Sequence, residues 1–155
     1  YPHTGEVYDL AWSQNNLLMS VSEDKSFILM DVDKKNSLWG LQDTSAITAV
    51  ACAENGTIAY GTRQSFVRVY TKEGKHITTL QETYPITTLS YSKNYLLGVG
   101  KADGSISLWD LNNNKVIGKG NVNGACLSLS WEPYKGKQFV TCSENDNKVH
   151  IWKVL

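Results

Sequence analysis

No stretch of this chain comes near the run of about eighteen apolar residues that a membrane-crossing helix needs, so no membrane insertion is expected. No signal-peptide pattern follows the first residue, which is Tyr1 rather than Met, and the chain is expected to be a fragment or to have a trimmed start. Cysteine is scarce: Cys52, Cys126 and Cys142, with no C-x-x-C spacing among them. Each falls within a predicted strand, where a free thiol acts as a small buried hydrophobe. Their odd number argues for a reducing, intracellular setting, cytoplasmic or nuclear, and no zinc site is expected from them. Arginine is scarcer, with Arg63 and Arg68 alone, which is too few for a cluster that reads phosphopeptides. An excess of charge is lacking as well. Fifteen basic and fifteen acidic residues in 155 leave a net charge of zero, without the basic balance of a nucleic-acid-binding module, so no nucleic acid partner is expected.

The usual chemical motifs are missing too. Gly98-Val99-Gly100 leads into a turn and a strand, not into a helix that could take a phosphate. His3, His76 and His150 stand in different local contexts and do not converge as metal ligands would. The carboxylates are scattered over turns. No catalytic residue, metal or cofactor is expected, and the chain is not read as an enzyme.

What the sequence does have is one pattern repeated. Leu97 to Asp110 reads as two strands joined by a tight turn: Leu97 and Val99 alternate with small residues, Ala102-Asp103-Gly104 turns the chain, and Ile106, Leu108 and Trp109-Asp110 follow with period two. Leu18 to Asp31 aligns with it without a gap, placing Asp24 at the turn and Met30-Asp31 at the end. Ile58 to Thr71 is a more worn copy, and Phe139 to Lys153 a fourth, one residue longer in its turn. A β-branched or apolar segment precedes each copy, beginning at Val7, Ile47, Ile86 and Cys126, so the starts lie 40, 39 and 40 residues apart. A period near 40 residues with four strands per unit is a propeller-blade signature.

The copies resemble WD40 repeats over essentially the whole chain. The resemblance implies an all-β fold, a WD40-type β-propeller segment of four blades, at about residues 1–42, 43–81, 82–121 and 122–155. The last blade lacks an outer strand of its own, and the family mostly closes with more blades than four. The segment is therefore expected to be part of a larger propeller, or to be completed by another chain or a second copy.

The resemblance also assigns roles. In the family a His, a Ser or Thr, the turn Asp and a Trp form a hydrogen-bonded chain within a blade. Carried over, this structural network comprises His3, Ser20 and Asp24 in blade one, with Met30 in place of the Trp; Asp103 and Trp109 in blade three; and Thr141 and Trp152 in blade four. A His, a Ser and an Asp together could also be read as a hydrolase triad, but the blade pattern already explains all three. Blade two has Asp43 and Tyr70 at the His and Trp positions, so its chain is expected to be absent or altered, and Arg68 is expected to face solvent. The partner-binding positions implied on the narrow face are Glu6, Tyr8, Glu23, Thr48, Arg63, Thr87, Leu127 and Asn145, beside the small Ala46, Pro85, Ala102 and Ala125. The resemblance thus implies a non-catalytic scaffold or adaptor that binds protein or peptide partners within a multiprotein complex. The alternative is a subunit that recognises a substrate or a modified peptide in a ubiquitin ligase or other modifying complex, although no arginine follows Trp109-Asp110 at the spacing of a ubiquitin-ligase adaptor contact.

Overall fold

Short apolar stretches at a period near 40 residues call for small antiparallel meanders. The computed structural model, which describes residues 2–155, contains fifteen strands and, among the described residues, no helix. Tyr1, in the lead-in to blade one, lies outside the described residues. Blade one is β1 (Val7–Trp12), β2 (Leu17–Ser22), β3 (Ser26–Asp31) and β4 (Asn36–Gln42). Blade two is β5 (Ile47–Cys52), β6 (Ile58–Thr62), β7 (Phe66–Tyr70) and β8 (His76–Gln81). Blade three is β9 (Ile86–Tyr91), β10 (Leu96–Lys101), β11 (Ser105–Asp110) and β12 (Lys115–Asn121). Blade four has only β13 (Cys126–Trp131), β14 (Gln138–Ser143) and β15 (Asp146–Lys153). Each sheet follows chain order, every pair antiparallel, and β15 has a neighbour on one edge alone.

The sheets stack face to face because their strands are apolar on both sides. Strand β6 is buried at every position, as a strand between two covered faces must be. Three cores result. Met19, Val21, Phe27 and Leu29 of blade one meet Ile47, Val50, Ile58 and Tyr60 of blade two. Ala49, Ala59, Val67 and Val69 of blade two meet Ile86, Leu89, Leu97 and Val99 of blade three. Ile106 and Leu108 then meet Cys126, Leu129, Trp131 and Phe139. The first strands line the inside of the arc, β1 against β5, β5 against β9, and β9 against β13.

The arc does not close. Blade one leaves Leu10 and Trp12 each 58% exposed, and blade four leaves Val149 at 69% and Ile151 at 66%, on the sides that no neighbour covers. The segment is an open part of a propeller, as the missing outer strand implied. One detail differs from the sequence reading. The extra residue of the fourth copy does not lengthen its turn: Ser143 pairs directly with Asp146, and the register shift between Thr141 and Ser143 places the surplus as a bulge in β15.

Two glycines set how near the blades approach. A Cβ on Gly61 would lie 2.3 Å from Cγ2 of Ile86, and one on Gly100 would lie 2.5 Å from Thr88 Cγ2 and 2.7 Å from Cys126 Sγ. Neither has positive φ, so the demand is for space alone. Gly61→Ala is therefore expected to push β6 away from blade three and cost about 1–3 kcal/mol. Gly118→Ala, whose nearest contact would be an ordinary 3.6 Å to Leu108 Cβ, should cost far less. Urea denaturation of the two variants compares them, and equal midpoints would contradict this account of blade spacing.

Candidate functional site

The second residue of every first strand is a bulge. Val7 pairs with Ser22 but Asp9 with Val21, which leaves Tyr8 as the surplus residue. The same shift leaves Thr48 unmatched in blade two, Thr87 in blade three and Leu127 in blade four. A bulge re-aims its side chain, so these four narrow-face positions share a backbone cause as well as a place in the repeat. They lie at the end of the arc where the first strands begin and the turns joining second to third strands lie, here called the upper face.

The four residues are used in two ways. The hydroxyl of Thr48 donates to the carbonyl of Ile86 at 2.5 Å, and that of Thr87 donates to the carbonyl of Cys126. Each stitches its blade to the first strand of the next. Both were expected as partner-binding residues. In the structure they are half-buried and their hydroxyls are spent on cohesion between blades. Tyr8 and Leu127 instead remain exposed, at 39% and 55%.

Tyr8 is part of a cluster spanning blades one and two. The guanidinium of Arg63 donates to both carboxylate oxygens of Glu23, at 2.9 and 2.7 Å, and to the Tyr8 hydroxyl at 2.9 Å. Tyr8 in turn donates to Glu23, and Arg63 Cζ stands 5.7 Å from the centre of its ring. Glu23 and Arg63 come from the equivalent turns of successive blades, whose position is fixed by backbone bonds from Glu23 N–H to Glu6 and from Arg63 N–H to Ala46. The Arg63 and Tyr8 hydrogen bonds hold the Glu23 carboxyl below its ordinary range, and the bond to Glu23 raises the Tyr8 phenol. Glu6 and Asn145 are exposed on the same face, and Asn145 packs beside Gly124.

Each blade closes its upper end with a different polar device. In blade one, His3 Nε2 lies 2.7 Å from Ser20 Oγ and His3 Nδ1 lies 2.7 Å from Ser26 Oγ, which donates to Asp24 at 2.5 Å. Ser26 is the link that the sequence reading missed. Burial alone would raise the Asp24 carboxyl, but the Ser26 hydroxyl and the N–H groups of Thr4 and Ser26 outweigh it and hold the acid well below its usual range. In blade two the network is altered rather than absent. Asp43 accepts from the Tyr60 hydroxyl at 2.9 Å and from Arg68 Nε at 2.6 Å. Arg68 is thus paired and half-buried rather than turned to solvent, because the carboxylate at the His position draws it in.

In blade three, Glu82 accepts from Trp109 Nε1 at 2.7 Å, from Lys101 Nζ at 2.7 Å and from the Ser107 hydroxyl at 3.1 Å. Lys101 and Glu82 form an ion pair whose side chains are 5% and 6% exposed. Asp103 does not share a network with Trp109. It is exposed and caps its own turn, accepting from Ser105 N–H at 3.0 Å and Ser105 Oγ at 2.6 Å, because Glu82 already takes the indole. In blade four, with Val122 at the His position, Trp152 Nε1 donates to Thr141 Oγ1 at 2.9 Å, and His150 Nε2 lies 2.7 Å from the Asp146 carboxylate. Among the described residues, no three His, Cys, Asp or Glu side chains gather as a metal site would.

Four antiparallel meanders packed through their first strands along an open arc define a segment of a WD40-repeat β-propeller. A model for the WD domain, G-beta repeat, matches residues 1–31. The chain belongs to the family described as Eukaryotic translation initiation factor eIF2A, whose model matches residues 18–155. WD repeat-containing protein 44 of Xenopus laevis is 22% identical over 166 aligned residues, covering 97% of the chain and 18% of that protein. The solved structure of U3-55K superimposes with a TM-score of 0.91 at 17% identity, covering 99% of this chain and 50% of that one. The computationally designed Ika4 protein gives a TM-score of 0.85 at 24% identity, with 99% and 94% covered. The chain thus spans under a fifth of the length of the curated relatives it matches and half of the U3-55K chain, and at these identities the structural likeness establishes the fold.

The depressed acidity of Asp24 makes the blade-one latch pH-dependent in a defined direction. A carboxyl lowered in the folded state stabilises fully above its unfolded value of about 4, and that contribution is lost as pH falls toward the folded value. Asp24→Asn should therefore lower stability by about 1–3 kcal/mol at neutral pH. The gap between variant and wild type should shrink steadily below about pH 4. Thermal melts across that range test it, and a gap independent of pH would remove Asp24 from the latch.

Proposed function

We propose that this chain is a non-catalytic scaffold segment that binds protein partners within a multiprotein complex, with Tyr8, Glu23 and Arg63 as the core of its upper-face site. WD40-type propellers generally serve protein–protein interaction. The observation that carries the site is the convergence, on an exposed surface, of a tyrosine and an arginine held in one geometry by a shared carboxylate. Such anchors lose little freedom on binding and contribute most to interface energies. The family description makes translation initiation complexes the first place to seek the partners.

The alternative, recognition of a modified peptide, has less support. Both arginines are engaged with carboxylates, Arg63 with Glu23 and Arg68 with Asp43, and neither is free to meet a phosphate. The exposed sides of blades one and four belong to the same proposal: they are covered by further blades, whether from the same protein or from another chain.

Replacing Tyr8 and Arg63 together by Ala in the full-length protein should deplete specific partners about tenfold or more in quantitative affinity capture. The melting temperature should stay within about 2 °C of wild type, since the cluster is surface-exposed. Undiminished capture, with loss caused instead by Ile117→Asp on the outer strand β12, would move the site to the rim.

A further inference from the structure

Equal numbers of acidic and basic residues cancel over the chain but not over its two ends. Glu6, Glu23, Asp24, Asp43, Glu144 and Asp146 outnumber Lys25, Arg63 and Lys148 on the upper face, whereas the lower face, built from the turns after first and third strands, carries lysines in every blade. These lysines outnumber the carboxylates Asp31, Asp33, Glu54, Glu73, Asp110 and Glu132 beside them. Four of the lysines belong to the corner where blades three and four meet. Asn94 Nδ2 donates to the carbonyl of Lys135 at 3.1 Å, bringing the turn of Lys93 against the turn of Lys135 to Lys137. Val154 N–H donates to the carbonyl of Lys137 at 2.8 Å, and Lys153 pairs with Gln138, so the end of β15 joins the same corner.

Lys93, Lys135, Lys137 and Lys153 are all exposed, and among the described residues none of them has an ion-pair partner. Between them stands Tyr134, 81% exposed. Its loop is stiff. The carboxylate of Glu132 turns inward and accepts from the N–H groups of Tyr134, Lys135 and Gly136 at 2.8 to 3.1 Å. A cleft of about 230 Å³ opens alongside, lined in part by Lys93, Ser92, Ser130 and Pro133 and also by Glu54 and Glu132.

We propose that this corner docks an acidic segment of a partner protein. Its carboxylates meet the four lysine ammonium groups, and an apolar side chain between them lies on the Tyr134 ring. Flexible ammonium stems suit carboxylates at irregular spacing, and an ordered aromatic among charges is the usual anchor of a protein interface. A polynucleotide fits less well. Its charge recurs every few Å and asks for a basic track, whereas Glu54 and Glu132 line the cleft beside these lysines and interrupt such a track. The site lies at the opposite end of the arc from Tyr8 and stands independently of the upper-face reading.

Fluorescence anisotropy of a labelled peptide of about twelve residues, alternating Glu and Asp with two Leu, reads the site directly on the full-length protein. Binding is expected at low salt and should weaken about tenfold or more at high salt. Lys135→Glu with Lys137→Glu should weaken it about tenfold or more, and Tyr134→Ala about fivefold. Lys25→Glu with Lys148→Glu, on the upper face, should leave it unchanged, as should Tyr8→Ala with Arg63→Ala, which separates this test from the one above. Absence of binding at low salt, or affinity that survives the double reversal at Lys135 and Lys137, overturns the proposal. So does an oligouridylate of the same length that binds more tightly than the peptide, because the patch would then serve nucleic acid.

Discussion

Sheets that are apolar on both faces cannot stand alone, and everything else in this structure follows from that constraint. Strand β6 exposes almost nothing to water on either side, so blade two exists only because blades one and three flank it. The stack then fans into an arc because its inner and outer edges carry side chains of different size. Near the inside, Ala49, Ala59, Gly61 and Gly100 let neighbouring strands close up. Toward the outside, the Trp39 ring lies 4.9 Å from Phe27 and 6.2 Å from Tyr70, and its indole donates to the carbonyl of Lys72 in the next blade at 2.8 Å. Small residues within and aromatic wedges without tilt each sheet against the next, and the tilt, repeated, is the curvature.

Apolar packing holds the blades together without saying where their loose ends belong, since it has no direction. The polar devices at the upper ends supply direction. They occupy equivalent places and differ in chemistry: an imidazole between two serines, a carboxylate gripping a guanidinium, a buried ammonium–carboxylate pair, and an indole–hydroxyl bond. The pair of Lys101 and Glu82 is the most demanding, because both charges leave water. It persists because Ser107 and the Trp109 indole complete the hydrogen bonding that the pair leaves open. Degeneracy of the repeat is therefore not loss of the network but its replacement, blade by blade.

The fold was legible in the residues because its signal is periodic: starts at Val7, Ile47, Ile86 and Cys126 fall in phase, and β1, β5, β9 and β13 begin at those four residues. The site was legible in part. His3, Ser20 and Asp24, and the pair of Thr141 and Trp152, join as their repeat positions imply. Position did not reveal who else arrives at the same place. Arg68 was read as solvent-facing because alternation along a strand says nothing of a carboxylate descending from the preceding turn. Asp103 was linked to Trp109 because both match the family pattern, yet the indole goes to Glu82, whose reach depends on a path between strands that the linear chain conceals. The Tyr8, Glu23 and Arg63 cluster joins residues 40 and 55 positions apart. Its members were each named, but their contact depends on the spacing of two blades.

The bulged position of the first strand shows cohesion and recognition drawing on the same residue. A bulge turns its side chain out of the ladder, toward the upper face and the next blade together. A threonine there can reach the neighbouring strand's carbonyl, as Thr48 and Thr87 do, and the hydroxyl so used is no longer offered to a partner. A tyrosine or leucine is too large or too apolar for that bond and stays on the surface. In blade one the inter-blade link passes instead to the next residue, Asp9, whose carboxylate accepts the N–H of Val50 at 2.9 Å and so leaves Tyr8 free for Glu23 and Arg63. The interior blades of this segment are thus stitched at the position where its first and last blades display, and the choice between the two uses is made by one side chain per blade.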